Sequence, residues 1–444
     1  MVKVKANPYI NGWLLIDKPV NWTSHDVVAK LRNIFGQRRV GHSGTLDPFA
    51  TGLLIIGFGQ VTKYLDNFQA LTKVYRATIR LGWATQTDDL TGDIVDNLKP
   101  KSSYNKLKSI DRSKIAEVIA SFKGFQYQKP SNFSAKKIQG KKAYELARQE
   151  QNFELPLSPI YIYDLLIEKI YQTNKYIDIV AYIECSSGTY IRALARDIGQ
   201  VLEVGGHLQS LRRLKIGQYD VKQALIIDNL TNLVLKDNSK KCCKNSRNDN
   251  KDTKIINNFN NLALSVNLIP AINYGATIGK FATLHKGHIA LIHKLVKVCL
   301  VKRLKPRIII IEPDRILDSN LSDFNYQIQS KVKQLREKIL RSLGVQRIDY
   351  LKLDSDLKKF DYKTFAKEYL VKKYNVKYLL MGDNATIGKN QLGHIKNLAS
   401  LKYFEVEAFK LLPGISSSKI RQLVKENNLN KATELLGRQI DILC

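Results

Sequence analysis

Apolar and polar positions along the chain fall into two regimes separated by a stretch that has no pattern at all. In the first, Trp13-Leu14-Leu15-Ile16-Asp17 reads as a short strand, and Val27, Val28, Leu31 and Ile34 recur at helical spacing behind Ser24, placed here as the helix cap. Leu53-Leu54-Ile55-Ile56 is a continuous apolar run, as a strand buried on both faces would be. Tyr75 to Leu81 and Ile177 to Cys185 alternate with a period of two, and the second leads through Ser186-Ser187-Gly188-Thr189-Tyr190-Ile191-Arg192 into a helix. Strands and helices are interleaved without a repeat, so the class is α+β. In the second regime a strand over 271–278, a turn at Gly279, a helix opened by His285-Lys286-Gly287-His288, and buried strands over 307–311 and 376–381 predict a parallel α/β sheet with ligands at the strand ends. Between them, Lys236 to Asn261 is almost all Lys, Asn, Asp and Ser, too polar to fold, and is assigned as a linker. Domains over 1–235 and 262–444 follow.

Composition adds a partner to this outline. Lys and Arg number 71 against 40 Asp and Glu, a net charge of +31 over 444 residues, which points to a polyanion and first of all to nucleic acid. The cysteines (Cys185, Cys242, Cys243, Cys299, Cys444) have the spacing of neither a disulfide framework nor a zinc site, so no metal ligands are expected. No apolar run approaches the ~18 residues of a membrane span. A soluble cytoplasmic protein with no membrane partner is the expectation.

Candidate chemistry in the first half centres on Gly41-His42-Ser43-Gly44-Thr45-Leu46-Asp47-Pro48-Phe49-Ala50-Thr51-Gly52, a loop rich in glycine whose one acid is Asp47. With it go Tyr75, the polar turn from Gly82 through Thr85, Thr87 and Asp89 to Gly92, and Arg192. A buried carboxylate beside arginine is expected to stay ionised, its pKa lowered by ~1–3 units, which suits a nucleophile or a base.

These segments, with Gln128 to Ala135, Gly140 to Arg148 and Leu211-Arg212-Arg213-Leu214, resemble the bacterial tRNA pseudouridine synthase B family over roughly residues 12 to 218. The resemblance implies a mixed-sheet fold that isomerises uridine 55 in the TΨC arm of tRNA without a cofactor. It places Asp47 as the catalytic aspartate, attacking the ribose or starting glycal formation, with Tyr75 stacking on the base and helping proton removal at carbon 5. Arg192 would pair with Asp47, Tyr190 would line the pocket, and His42 would contact the RNA where the base leaves its stack. Lys136, Lys137, Lys141 and Lys142 would grip the stem-loop backbone. Lys129, Asn132 and Phe133 depart from the family's pattern, and its small carboxy-terminal extension looks shortened or absent, since the linker begins soon after Ile227.

In the second half, His285 and His288 sit one turn apart beside free helix-start N–H groups, a cradle for phosphate. Met381 to Lys389 follows a strand, and Gly414-Ile415-Ser416-Ser417-Ser418-Lys419-Ile420-Arg421 opens a helix with hydroxyls and an arginine. Together with the closing Ala432 to Arg438 these resemble the adenylyltransferase half of bacterial bifunctional riboflavin kinase and FAD synthetase, over roughly 268 to 440. That likeness implies a Rossmann-like nucleotidyltransferase domain moving AMP from ATP to FMN with Mg2+, its nucleotide held by Gly279, His285, His288, Asn384, Ser417, Ser418 and Arg421. The family's Gly-Asn-Phe-Asp-Gly run is here Gly279-Lys280-Phe281-Ala282-Thr283, which loses an amide and a carboxylate. The sequence ends at Cys444, where a kinase module would begin, so riboflavin phosphorylation is not expected. A tRNA-binding folding helper, and a nucleotidyltransferase with another acceptor, stand as the alternatives for the two halves.

Overall fold

The computed structural model describes residues 10–95, 106–134, 137–138, 141–149, 153–230, 271–313, 323–353, 357–410 and 412–440. The expected linker over 236–261 lies outside them. The chain divides into two compact units, Met1–Leu155 with Ile160–Ala271, and Ile272–Cys444 with Pro156–Pro159. Among the described residues no helix is long and apolar enough to cross a membrane.

The first unit is built on one ten-stranded mixed sheet. Its strands are β1 (Gly12–Lys18), β2 (Val40–Ser43), β3 (Thr51–Phe58), β4 (Lys73–Leu81), β5 (Gly124–Gln128), β8 (Ser158–Gln172), β9 (Ile177–Cys185), β10 (Gly206–Ile216), β11 (Tyr219–Asp220) and β12 (Leu225–Ile226). The short strands β6 (Lys137–Ile138) and β7 (Lys141–Lys142) form a separate ladder. Along the large sheet the order is β12-β1-β3-β10-β4-β9-β8-β5, with β2 on β3 and β11 on β10. The apolar run of β3 is explained by burial on both faces. Leu54 and Ile56 pack under helix α1 (Ser24–Phe35), while Leu53 and Ile55 pack with Trp13 and Phe68 on the other side. The alternating strands β4 and β9 are antiparallel, Tyr75 opposite Ile183, and their inward residues meet Ile191, Leu194 and Ile198 of helix α2 (Ile191–Val201).

One local expectation is corrected. Helix α1 is capped by Thr23, whose hydroxyl accepts from Asp26 N while the Asp26 carboxylate accepts from Thr23 N. Ser24 is the first helical residue, buried, and its Oγ accepts from Leu46 N at 3.0 Å and faces Leu46 O at 3.3 Å. The hydroxyl that looked like a cap therefore fastens the glycine loop to the helix.

The second unit has a five-stranded sheet, parallel throughout, in the order β15-β14-β13-β16-β17. Its strands are β13 (Tyr274–Gly279), β14 (Lys305–Pro313), β15 (Arg347–Leu353), β16 (Val376–Gly382) and β17 (Glu405–Phe409). Helix α3 (Lys286–Val301) packs on β13 and β14, and two short helices, α4 (Ser417–Lys425) and α5 (Leu429–Leu436), pack on each other.

Candidate active sites

In the first unit the loop between β2 and β3 carries Asp47 over a cavity of about 250 Å³ lined by Asp47, Tyr75, Tyr190, Arg192 and Arg213, among others. Its backbone is held from several sides. Besides Ser24, Lys18 Nζ donates to Pro48 O at 3.2 Å and Trp22 O at 2.5 Å, Asn21 N donates to Pro48 O at 2.9 Å, and Arg213 donates to Gly44 O at 3.0 Å. At Gly52, φ is +104° and an added Cβ would lie 2.3 Å from Arg213 O, so the loop can return into β3 beside β10 only with glycine there.

Arg192, at the start of helix α2, meets the Asp47 carboxylate with both ends of its fork: Nε to Oδ2 at 3.0 Å and Nη2 to Oδ1 at 3.3 Å. The same guanidinium donates to Asp89 Oδ2 at 3.2 Å, Thr87 O at 3.0 Å and Phe133 O at 2.9 Å. Asp89 is itself fixed by Thr87 Oγ1 at 2.7 Å and by Thr91 N at 2.9 Å. One helical turn on, Arg196 pairs with Asp88 at 3.0 Å and donates to Lys129 O at 2.8 Å, so successive arginines tie the turn around 85–92 to the segment around 128–134.

The charge balance at Asp47 differs from the expectation. Burial raises its carboxyl above the ordinary carboxylate range; Arg192 pulls it down, Asp89 pushes it further up, and Lys18 pulls down. The expected lowering by arginine is thus outweighed: packing around the carboxyl costs more than the fork returns, although its side chain keeps 34% of its surface open. Burial also holds the Tyr75 phenol up at about 12, with Arg213 opposing, so Tyr75 is neutral at rest. Burial lowers Lys18 to about 8, Asp47 opposing.

The remaining expected residues divide. Tyr190 lines the cavity, its hydroxyl raised by burial, and its backbone exchanges hydrogen bonds with the Gln128 amide at 3.0 and 2.9 Å. His42 lies on β2 against His25, ring centroids 5.2 Å apart, outside the cavity lining. Burial lowers it to about 4, and among the described residues its Nδ1 has no hydrogen-bond partner. Lys136 lies outside the described residues; Lys137 pairs in register with Lys142, and Ile138 with Lys141, on the β6–β7 ladder. Three site residues received no role of their own from the sequence: Lys18, Asp89, named there only as part of its polar turn, and Arg213, named only within the Leu211 to Leu214 segment. All three are buried charges, and a lysine before proline, an acid in a polar turn and an arginine pair each resemble surface features in sequence.

In the second unit the start of helix α3 brings its histidines together. The His285 and His288 rings stack at 3.8 Å and 17°, and His285 Nδ1 accepts from His288 N at 3.4 Å. Burial lowers both, His288 to about 3, so at neutral pH they act as uncharged imidazoles. Thr283 Oγ1 is 2.9 Å from Ser417 Oγ at the start of α4, and Arg438, which ends the closing segment and had no role assigned from the sequence, donates to Thr283 O at 2.7 Å. Gly279 ends β13, with Phe281 stacked over it; Asn384, Ser418 and Arg421 are exposed. Among the described residues no group of three or more His, Cys, Asp or Glu converges, and Ala282 offers no side-chain oxygen for Mg2+ where the related run has a carboxylate.

Comparison with known proteins agrees with this division. A model described as TruB family pseudouridylate synthase (N terminal domain) matches residues 32–191, and one described as tRNA pseudouridylate synthase B C-terminal domain matches 192–245. The second match begins at Arg192 and runs through β10 to β12, strands of the same sheet, so it bears on that sheet and not on the small carboxy-terminal extension. A model described as FAD synthetase matches 271–421. The tRNA pseudouridine synthase B of Corynebacterium diphtheriae is 44% identical over 222 residues, covering 50% of this chain and 72% of that relative. That of Leifsonia xyli subsp. xyli is 48% identical over 216 residues, covering 48% and 70%. Among solved structures, a chain of a Cbf5-Nop10-Gar1 complex aligns with a TM-score of 0.38 at 22% identity, over 56% of this chain and 61% of that one.

Proposed function

The chain belongs to the tRNA pseudouridine synthase B family and carries a second domain matched by the FAD synthetase model, and we propose that it isomerises uridine 55 of tRNA through Asp47. The observation that carries this is the Arg192 fork on the Asp47 carboxylate at the wall of a cavity shared with Tyr75 and Tyr190. With the target uridine swung out of its stack and into that cavity, the ionised carboxylate attacks the anomeric carbon or removes the 2′ proton. Either path breaks the bond between that carbon and N1. The freed uracil anion turns and its carbon 5 bonds to the anomeric carbon, displacing the Asp47 carboxylate on the first path or adding to the glycal as the 2′ proton returns on the second; the proton on carbon 5 then passes to a base and N1 takes one up. Arg192 fixes the carboxylate's direction, while Tyr75, neutral at rest, offers a stacking face and a phenol beside the Arg213 guanidinium. No step needs a cofactor.

Asp47→Asn tests this. Expressed as the sole copy, the variant should leave position 55 of tRNA as uridine while still binding tRNA; retained pseudouridine there would reduce the first unit to an RNA-binding folding helper. Pseudouridine appearing at another position would overturn the assignment to uridine 55.

For the second unit, we propose a Rossmann-like nucleotidyltransferase that moves AMP from ATP to FMN. Supporting this are the stacked His285 and His288 at one helix start and the hydroxyls of the neighbouring helix start, joined through Thr283. Charge stabilisation by these neutral donors and by Arg421 would assist the transfer, with any Mg2+ brought on the triphosphate. Incubating the full chain with ATP, Mg2+ and FMN and weighing the product decides: FAD is expected. A dinucleotide formed only with another acceptor would move the assignment to that acceptor.

A further inference from the structure

The three serines before and within α4 have different duties. Ser416 caps the helix, its Oγ accepting from Lys419 N at 3.2 Å. Ser417 has its hydroxyl turned to Thr283 at 2.9 Å. Ser418 is exposed. Thr283 is fully buried, and where the related run has glycine it supplies a hydroxyl to α4 and a carbonyl to Arg438. Gly437, with φ at +73°, rests on the stem of Lys286, where an added Cβ would come within 2.8 Å of Cγ. The closing turn at Gly437 and Arg438 therefore sits over the start of α3, and Thr283 links that start to α4. The turn it occupies is held under load: Phe281 and Leu284 adopt φ of +43° and +47°, which non-glycine residues keep only where their surroundings force it.

We propose that Thr283 is a positioning residue: through Ser417, and braced by Arg438, it fixes where Ser418 and Arg421 stand relative to His285 and His288, so that one triphosphate spans both helix starts. This deepens the assignment of adenylyl transfer to the second unit and rests on it. Because the clamp joins the two phosphate-facing segments, its loss should weaken ATP and leave the acceptor alone.

The test uses the full chain with Thr283→Val, Thr283→Ser and Arg438→Gln, varying ATP at saturating FMN and then FMN at saturating ATP. Thr283→Val should raise KM for ATP about 5- to 10-fold, the size of one neutral hydrogen bond, with kcat within about 3-fold and KM for FMN unmoved. Thr283→Ser should restore the wild-type value. Arg438→Gln should act in the same direction, and the double variant should fall short of the product of the two effects, as partners in one network do. Thermal unfolding of the second unit in the same preparations, with a midpoint near that of the wild type, reports that this unit is folded. A wild-type KM for ATP in Thr283→Val overturns the proposal, as does an equal fall of kcat in both Thr283 variants. If the wild type makes no dinucleotide, adenylyl transfer is refuted instead. Calorimetric titration with MgATP then carries the same comparison, equal affinity of wild type and Thr283→Val overturning the clamp and a 5- to 10-fold loss supporting it.

Discussion

Replacing Arg192 by lysine keeps the charge and removes the fork. The guanidinium reaches two carboxylates and two carbonyls, at 2.9 to 3.3 Å, from three different nitrogens. A lysine ammonium donates from one nitrogen and cannot serve acceptors on opposite sides, so Asp47 or Asp89 loses its partner. The side chain is 8% exposed, and water can replace little of what is lost. Leaving a buried group unsatisfied costs ~1–3 kcal/mol, more where it is charged, and breaking a buried ion pair ~3–5 kcal/mol. The first unit should lose ~2–3 kcal/mol in urea unfolding. If a similar amount is lost from the transition state, kcat falls about 100-fold. Single-turnover conversion of full-length tRNA separates this step from RNA binding, which should change less. A variant within about 3-fold of the wild-type rate, with its unfolding midpoint unmoved, would show that the fork does not orient Asp47 and would sink the proposed role.

Three further outcomes follow from the same geometry. Asp89→Asn removes a negative charge that raises the Asp47 carboxyl, so the acid limb of the pH–rate profile should move to lower pH; an unmoved limb would mean that Asp47 is not the group titrating. His288 is held at about 3 against an ordinary 6.5, so the unfolded chain takes up its proton first. Stability is therefore complete above about pH 6.5 and lost as pH falls from there towards 3, and His288→Gln should flatten that slope in thermal unfolding of the second unit. Gly52→Ala places a Cβ 2.3 Å from Arg213 O and 2.7 Å from Arg213 N, backbone atoms that cannot yield. A loss of more than ~2 kcal/mol is expected in urea unfolding, and a change below ~0.5 kcal/mol would contradict the close approach.

Much of the fold was legible because burial leaves a period in the sequence. Tyr75 to Leu81 and Ile177 to Cys185 alternate since one face of β4 and β9 meets helix α2, and Leu53 to Ile56 is continuous since both faces of β3 are covered. Strand β10 left no such mark: its Leu208-Gln209-Ser210-Leu211-Arg212-Arg213 carries charges inward and outward, with register shifts against β4. Arg213 is 1% exposed yet sits in a pair of arginines, the commonest look of a surface. Its partners, Leu53 O and Gly44 O, are backbone atoms some 160 residues away, which no local spacing reports. Lys18 is hidden for the same reason, since it binds carbonyls and not side chains.

The charge state of Asp47 shows where reading by pairs of residues runs out. An acid and an arginine found in two motifs imply attraction, and attraction implies an acid held ionised. The fold adds two facts that neither motif contains: the carboxyl is packed into the sheet end, and Arg192 is shared with a second carboxylate. Burial raises the carboxyl more than the shared fork lowers it, Asp89 adds to the rise, and the balance moves upward. The consequence is chemical. On the proposed path in which Asp47 attacks the ribose, a carboxylate that is costly to keep ionised would lose that cost as its charge spreads into the new bond, so burial would favour attack over rest once the pocket is filled. Deleting the second carboxylate by Asp89→Asn should therefore lower the pH limb and slow the step together. A variant with a lower limb and an unchanged plateau rate would separate the two effects and leave burial without a part in the chemistry.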